Sequence, residues 1–332
     1  MMKAAYIQKT GSPDVIKVGD LPRPEPQPGQ VLVQVQSVAV NPIDTYIRSG
    51  TVAMQLPDPF IIGCDFAGVV DKLGEGVTGF TVGDRVWGSN QGLLGRQGTF
   101  AEYIAVDQTW IHHLPQSVAF EDAAAVALVA ITAHLGLFRD AKLKSGETIL
   151  VIGGTGGVGS MVVQMAKLAG AKVITTAGSD SKADAALALG ADEVIAYHKE
   201  SINDAVARLV PEGVNVFWET RREPDFDLAV AAMAPRGRMV LMAGRDARPP
   251  FPVGPFYVKE CSLHGMVMFK ASPEEIAEAA MDINQWLANK QLKSNIGVRL
   301  LLDQAAESHR MQEAATLHGN SNLAGKIVLS VR

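Results

Sequence analysis

Residues 147–178 read ETILVIGGTGGVGSMVVQMAKLAGAKVITTAG, and this stretch decides the fold. An apolar strand at 148–152 leads into Gly154, Gly156 and Gly159, and an apolar helical segment follows at once. The spacing is G-x-G-x-x-G at a strand–turn–helix junction. A second strand, 172–176, follows at the distance expected for a βαβ unit. The pattern predicts a doubly wound Rossmann domain, in which parallel strands alternate with helices.

Each glycine has a separate physical role at such a turn. Gly154 permits a tight turn, Gly156 lets the backbone approach a pyrophosphate, and Gly159 lets the helix pack closely on the strand. The start of the helix offers N–H groups and a partial positive charge to phosphates. The predicted pyrophosphate-binding residues are Gly154, Thr155, Gly156, Gly157, Val158 and Gly159.

The tip of the second strand indicates which nicotinamide dinucleotide binds. A site for NAD places Asp or Glu there to hold the ribose 2′-hydroxyl, whereas residues 175–179 read TTAGS. Lys182 follows soon after, and Tyr197 ends a later strand. A cation, a hydroxyl and an aromatic ring suit a 2′-phosphate better than a diol, so we predict NADPH, although the nearby Asp180 counts against it. The predicted contacts to this part of the cofactor are Gly178, Ser179, Lys182 and Tyr197.

Size and composition favour a two-domain globular protein. The chain has 332 residues, 47% of them hydrophobic and 20% charged. Its formal net charge of −5, with no long basic run, counts against a nucleic-acid partner. The apolar stretch at 123–131 is too short to span a bilayer, and the first residues lack a signal-peptide core. We expect a cytoplasmic protein with no nucleic-acid or membrane partner.

Secondary-structure signals change along the chain. Apolar runs broken by Gly and Pro predict strands in the first third, and helices alternate with strands from about residue 122. The last sixty residues hold one clear helix, 273–288, and a terminal strand, 326–331. The predicted fold is α/β, divided into a mainly β domain that begins at 1–124, a dinucleotide-binding domain at 125–268, and a return segment at 269–332 that completes the first domain.

Five segments carry further motifs. They are NPIDTYIRSG at 41–50, GCDFAG at 63–68, GDRV at 83–86, GTFAEY at 98–103 and the run 146–167. Together they resemble the medium-chain dehydrogenase/reductase superfamily, and most of all its zinc-free quinone oxidoreductases of the zeta-crystallin type. The resemblance implies a GroES-like catalytic domain, a small-molecule substrate and a homodimer. It also matches Gly178, Lys182 and Tyr197 to positions that hold the 2′-phosphate.

The resemblance suggests further site residues. Asn41 and Tyr46 are expected beside the nicotinamide, where Tyr46 either donates a hydrogen bond or proton to the acceptor oxygen or packs the wall of the site. Thr132 matches a position near the carboxamide, but a helix Thr bonded to its own backbone is equally consistent with the sequence. Further cofactor-binding residues are predicted at Gly244, Phe269 and Asn322.

The positions of the zinc ligands decide the expected chemistry. Zinc-dependent relatives use a Cys, a His and another Cys or acid, and the matching positions here hold Asn41, Cys64 and Leu128. One thiol does not anchor a catalytic zinc, so we predict no metal. Without zinc nothing strongly polarises an alcohol, and reduction of an electron-poor acceptor, a quinone or an α,β-unsaturated carbonyl, fits better.

Some positions depart from the family pattern, and three functions stay open. Thr155 replaces a smaller residue, residues 51–54 lack a second Tyr, and Arg221 and Arg222 replace a glycine turn. The first function is an NADPH-dependent quinone or activated-alkene reductase. The second is a 2-enoyl thioester reductase, with a basic entrance formed by Arg221, Arg222, Arg245 and Arg248. The third is a non-catalytic structural or RNA-binding protein, against which the glycine turn and the negative charge count.

Overall fold

Strands and helices follow the apolar pattern closely through the middle of the chain. The computed structural model describes residues 1–317, 323 and 325–331. The strands of this part of the chain are β1 (Met2–Ile7), β2 (Lys17–Leu21), β3 (Gln30–Ala39), β4 (Phe60–Ile61), β5 (Asp65–Leu73), β6 (Arg85–Gly88), β7 (Tyr103–Asp107), β8 (Ile111–His113), β9 (Thr148–Val151), β10 (Lys172–Ala177), β11 (Glu193–Ala196), β12 (Val214–Glu219), β13 (Met233–Leu241), β14 (Ser262–Gly265), β15 (Ile296–Leu301) and β16 (Lys326–Ser330).

The helices connect these strands. The α-helices are α1 (Pro42–Ser49), α2 (Phe120–His134), α3 (Gly157–Leu168), α4 (Asp180–Ala188), α5 (Ile202–Leu209), α6 (Phe226–Ala232), α7 (Val253–Val258), α8 (Pro273–Ala288) and α9 (Ala305–Leu317). Short 3₁₀-helices lie at Pro13–Val15, Gln108–Trp110, Met268–Lys270 and Leu302–Gln304. The helix α2 continues as a π-helix over Leu135–Asp140.

Two units can be separated by their internal contacts, and unit 2 comprises Val129–Ala271. Its six strands are all parallel, in the order β11-β10-β9-β12-β13-β14. The order reverses direction at β9, and ligands of doubly wound sheets bind at such a switch point. Leu150, Ile174 and Phe217 are fully buried in this sheet. The predicted Rossmann fold is confirmed.

Unit 1 comprises Met1–Leu128 and Ser272–Arg332 and is mainly β. Its larger sheet has the order β15-β16-β3-β5-β6-β8, with β7 also paired to β3, and a smaller sheet has the order β2-β1-β4. The late strand β16 pairs antiparallel with the early strand β3, with Leu329 opposite Val38. The first helix begins after Asn41 and ends at Gly50, which has a left-handed φ of 84°.

The segment Phe120–Asp140 is long and apolar enough to cross a membrane by composition alone. Within the fold, 83% of its apolar window is buried. Buried apolar helices of this kind occur in the cores of soluble proteins, where they need no polar face.

Candidate functional site

The glycine turn after β9 is held by two threonines of the neighbouring strand. Gly153 has a left-handed φ of 77°, so the bend lies one residue earlier than the predicted Gly154. The N–H of Gly153 donates to Oγ1 of Thr176, and the N–H of Gly154 donates to Oγ1 of Thr175, both at 3.0 Å. Thr175 and Thr176, which lie near the end of β10 where a site for NAD would have an acid, therefore stabilise the glycine turn.

The space around each glycine shows whether the protein's own packing requires a glycine there or leaves room for a ligand. A Cβ on Gly154 would lie 2.1 Å from Oγ1 of Thr175, and one on Gly159 would lie 2.2 Å from the carbonyl oxygen of Gly153. A Cβ on Gly156 would meet only that same oxygen, at 3.5 Å. Gly156 is exposed and has an ordinary φ of −72°. The protein's own packing therefore requires Gly154 and Gly159 but leaves the space at Gly156 open.

That open space lies at the N-terminus of α3. Gly156 is the N-cap and has no side chain to bond the first turn of the helix. The first N–H groups of a helix lack intrahelical acceptors and carry a partial positive charge. Among the predicted turn residues, Thr155, Gly157 and Val158 are half-buried at this end of the helix. The arrangement fits a pyrophosphate, because an anion there would accept hydrogen bonds that the chain does not satisfy by a cap.

The ends of β10 and β11 lie side by side at the carboxyl edge of the sheet. The Tyr197 hydroxyl would lie 2.2 Å from a Cβ on Gly178, so Gly178 is small because Tyr197 covers it. The hydroxyl of Ser179 caps α4 by accepting the N–H of Lys182 at 3.3 Å. The Lys182 side chain is exposed, and within the described chain it forms no ion pair. These four predicted residues therefore lie together at the carboxyl edge of the sheet.

In unit 1, Asn41 is fully buried between β3 and α1. Its Nδ2 donates to Oδ2 of Asp65 at 2.7 Å, and its Oδ1 accepts a hydrogen bond from the Lys326 ammonium. The backbone N–H of Asn41 donates to Oδ2 of Asp44 at 2.8 Å. Asn41 is thus the centre of a buried polar cluster that also orients the start of α1.

The charges of this cluster come from residues distant in sequence. Lys326 also donates to the carbonyl of Val40 at 2.6 Å, and Asp65 accepts the hydroxyl of Ser89 at 2.6 Å. Burial lowers the pKa of Lys326, while Asp65 and Asp44 act to raise it. Burial raises the pKa of Asp65, and it raises the pKa of Asp44 to about 7. The cluster therefore holds one ammonium against two carboxyl groups that burial makes more basic.

The remaining predicted residues lie in several places. Tyr46 is half-buried on α1, and Thr132 is buried on α2. Gly244 follows β13 with a φ of 86°, and its Cβ would lie 2.7 Å from the carbonyl oxygen of Arg222. Phe269 is half-buried in a 3₁₀-helix. Asn322 lies outside the residues that the structure describes.

The two arginines after β12 have different surroundings. The Arg221 guanidinium forms a paired contact with Glu219, with Nη2 2.7 Å from Oε2. Glu219 is fully buried at the end of β12, so its carboxylate is held in place for Arg221. Arg222 is exposed. Only Arg222 of this pair therefore presents a guanidinium not already committed to a carboxylate.

The donors at the positions of the zinc ligands do not form a metal site. Asn41 is bound to Lys326 and Asp65, and burial raises the pKa of the Cys64 thiol well above its usual value. The third position, Leu128, offers no side-chain donor. Within residues 1–317, 323 and 325–331, no group of three His, Cys, Asp or Glu side chains is placed to hold a metal ion.

Sequence reasoning missed Lys326, Asp65 and Gly153. Lys326 begins an apolar strand, a position where a lysine is usually solvated, and its buried contacts arise only when β16 pairs with β3. Gly153 directly precedes Gly154, and the doubled glycine was the available signal that the bend lies one residue earlier.

Comparison with known proteins covers both units. A family described as "Alcohol dehydrogenase GroES-like domain" matches residues 27–116, and one described as "Zinc-binding dehydrogenase" matches residues 157–285. The quinone oxidoreductase of Lama guanicoe is 33% identical over 338 residues, which cover 100% of this chain and 98% of the relative.

Solved structures agree with these matches. An NAD-dependent alcohol dehydrogenase superposes with a TM-score of 0.90 at 32% identity, with 100% of both chains covered. A mycobacterial protein complexed with NADPH superposes with a TM-score of 0.86 at 30% identity, again over 100% of both chains.

A GroES-like unit and a Rossmann unit with an open phosphate turn define a nicotinamide-dependent oxidoreductase. The expected superfamily is therefore confirmed. The chain belongs to the medium-chain dehydrogenase/reductases and, within them, to the quinone oxidoreductase family of the zeta-crystallin type.

Proposed function

We propose that this protein transfers a hydride from NADPH to a quinone or an activated alkene or carbonyl acceptor, without zinc. The observation that carries the proposal is the edge of unit 2, where an open phosphate turn adjoins an acid-free strand tip with an exposed Lys182. NADPH, when bound, supplies the hydride. The chain then has to bind the cofactor, orient the acceptor and provide a proton.

The choice of NADPH over NADH depends on the end of β10. Thr175 and Thr176 are committed to the glycine turn and no acid ends β10, so the strand itself offers no group to a ribose diol. Lys182 offers a charge-assisted contact to a 2′-phosphate, and Tyr197 over Gly178 offers a flat surface beside it. The relative that was solved with NADPH supports this choice.

The acceptor site is assigned to Tyr46 and Asn41. Tyr46 is half-buried on α1 and donates a hydrogen bond or proton to the acceptor oxygen in this proposal. Asn41 is assigned to the base of this site, where its fully buried amide, bonded to Asp65 and Lys326, fixes the start of the helix that carries Tyr46. The donors at the zinc-ligand positions, an occupied amide and a protonated thiol, support a reaction that needs no Lewis acid. We assign Thr132, Gly244 and Phe269 to the flanks of the cofactor.

A second candidate, reduction of a 2-enoyl thioester, has one observation in its favour. Gly244 packs against the backbone of Arg222, which brings the loop of Arg222 beside the loop of Arg245 and Arg248. All three arginines are exposed, and within the described chain none forms an ion pair. Guanidinium groups bind phosphates well, so they suit the phosphates of coenzyme A.

We also propose a cytoplasmic homodimer. The strand β14 is an edge of the parallel sheet, and edge strands offer unpaired backbone groups to a second copy. Leu263 on this strand and Val253, Tyr257 and Val258 on α7 are exposed apolar residues. Their exposure supports a covered face in the assembled protein. The net charge of −5 supports the absence of a nucleic-acid partner.

One assay separates these functions. NADPH oxidation is measured against 1,4-benzoquinone, 9,10-phenanthrenequinone, an enone and crotonyl-CoA. Turnover of the quinones or the enone is expected. Turnover of crotonyl-CoA alone would favour the thioester reductase, and binding of NADPH without any turnover would contradict an enzymatic function.

A binding experiment tests the cofactor. A charge-assisted hydrogen bond contributes roughly 1.5–3 kcal/mol, so Lys182→Ala should weaken NADPH about 10- to 100-fold. NADH has no 2′-phosphate, so its dissociation constant should barely change. Equal weakening of both cofactors, or a parent protein that prefers NADH, would contradict the assignment to NADPH.

A further inference from the structure

Beside Lys182 lies an ion pair to which the proposed function assigns no role. Asp180 lies in the first turn of α4, and Lys199 and His198 lie in the turn after β11. Lys199 forms an ion pair with Asp180, and Nε2 of His198 lies 3.6 Å from the same carboxylate oxygen. The Lys199 hydrogen bond lowers the pKa of Asp180, so this carboxyl is ionised at neutral pH.

The register of the sheet places this group at the end of the cofactor site. Ala177 of β10 is paired with Ala196 of β11, and Asp180 and Lys199 each follow their paired alanine by three residues. The backbone N–H of Lys199 donates to the carbonyl of Ala196 at 2.8 Å, which folds the turn back over the strand end. Lys199 thereby lies on the same edge as Gly178 and Tyr197.

Asp180 is the acid with which Lys199 pairs, because the other nearby acid has a partner of its own. Glu200, the next acid along the chain, is paired with Arg208 at 3.0 Å. The Asp180 and Lys199 side chains are 74% and 57% exposed, so their pair is weak in water and can exchange partners. A dianionic phosphate accepts stronger contacts from an ammonium than a single carboxylate does.

We propose that Lys199 is a second cation for the 2′-phosphate of NADPH, and that Asp180 is the internal anion which this phosphate displaces. Asp180 holds Lys199 at the strand edge before the cofactor arrives. In the sequence, Asp180 counts against NADPH. In this proposal Asp180 pairs with Lys199 only until the phosphate binds, and it does not bind a ribose diol. The inference rests on the proposed NADPH site.

The test measures binding alone, with adenosine 2′,5′-bisphosphate as a probe that carries the 2′-phosphate without the nicotinamide. Adenosine 5′-monophosphate is the reference probe. Lys199→Gln should weaken the bisphosphate about 5- to 10-fold, and Asp180→Asn should strengthen it about 3- to 5-fold, with the monophosphate unchanged in both. Lys167→Gln is the matched control, because Lys167 forms an exposed pair with Asp192 just before β11, at the other end of that strand.

A double variant separates direct contact from simple neutralisation. If Lys199 contacts the phosphate, Lys199→Gln weakens the bisphosphate in the Asp180→Asn protein as well. If that effect disappears there, or if Lys199→Gln behaves like Lys167→Gln, the proposal is overturned. Loss of NADPH preference in Lys182→Ala with no effect of Lys199→Gln would reject this inference alone. A parent that binds both probes equally would reject the NADPH site itself.

Discussion

Gly156 and Gly159 should respond in opposite ways to a side chain, although both belong to one motif. A Cβ on Gly159 would lie 2.2 Å from a backbone oxygen, whereas a Cβ on Gly156 meets that oxygen at an ordinary 3.5 Å. Gly156→Val should therefore fold, with a loss of about 1 kcal/mol for a poorer N-cap. Gly159→Ala should lose about 1–3 kcal/mol or more, because backbone must move.

Cofactor binding should show the reverse order. The valine methyl groups of Gly156→Val would fill the space over the first turn of α3, where the pyrophosphate is proposed to bind. Losing two charge-assisted hydrogen bonds at roughly 1.5–3 kcal/mol each would weaken NADPH at least about 100-fold. Gly159→Ala keeps that space open, so its folded fraction should bind NADPH within about tenfold of the parent.

Two measurements on each variant check this reasoning. Thermal unfolding without cofactor reports the packing cost, and fluorescence titration with NADPH reports binding. The assignment of the pyrophosphate to this space is refuted if Gly156→Val binds NADPH as tightly as the parent. It is also refuted if Gly156→Val unfolds at a much lower temperature than Gly159→Ala, because the space at Gly156 would then belong to the protein's own packing.

Three further results are expected. Lys326→Met should lower the free energy of unfolding by about 3–5 kcal/mol, because it leaves the buried Asp65 without its cation, while Lys9→Met at the surface should change little in denaturant titrations. His309 is fully buried, and burial lowers its pKa from 6.5 to about 3, so below pH 6.5 the unfolded state takes up the proton first and stability falls. From pH 7 to pH 5 this costs about 2 kcal/mol, and a His309→Leu protein that loses just as much stability over that range would contradict the assignment. Turnover should survive dialysis against EDTA, and elemental analysis that finds one zinc per chain, with activity lost on its removal, would show the zinc-free chemistry to be wrong.

The Rossmann unit could be predicted because its signals are local. The strands Thr148–Val151 and Lys172–Ala177 lie within one residue of the predicted bounds, 148–152 and 172–176, since each is a short apolar run followed by glycine. The helix α1 was not predicted, although Asn41-Pro42 is a typical start for a helix. Its eight residues are too few for an apolar period to stand out.

The polar cluster around Asn41 could not be predicted from the sequence. Its ammonium comes from Lys326, 285 residues away, and the pairing of β16 with β3 that brings them together leaves no local pattern. The residues at the carboxyl ends of β10 and β11 could be predicted in part. Gly178 and Tyr197 were predicted, but the Asp180–Lys199 pair depends on the register of β10 with β11, which sequence alone does not give.

The pairing of β16 with β3 also determines the order in which the two units can fold during synthesis. The strands of unit 2 are all complete once Gly265 has left the ribosome, so this sheet can form while the chain is still growing. The early strands of unit 1 must wait for about sixty further residues before β16 closes the edge of β3 and Lys326 reaches Asn41. Until then Asn41, Asp44 and Asp65 lack the Lys326 ammonium, and the end of β3 lacks its partner strand. The nascent chain should therefore carry a finished second unit beside an unfinished first one, which is the stage at which a chaperone would have most to protect.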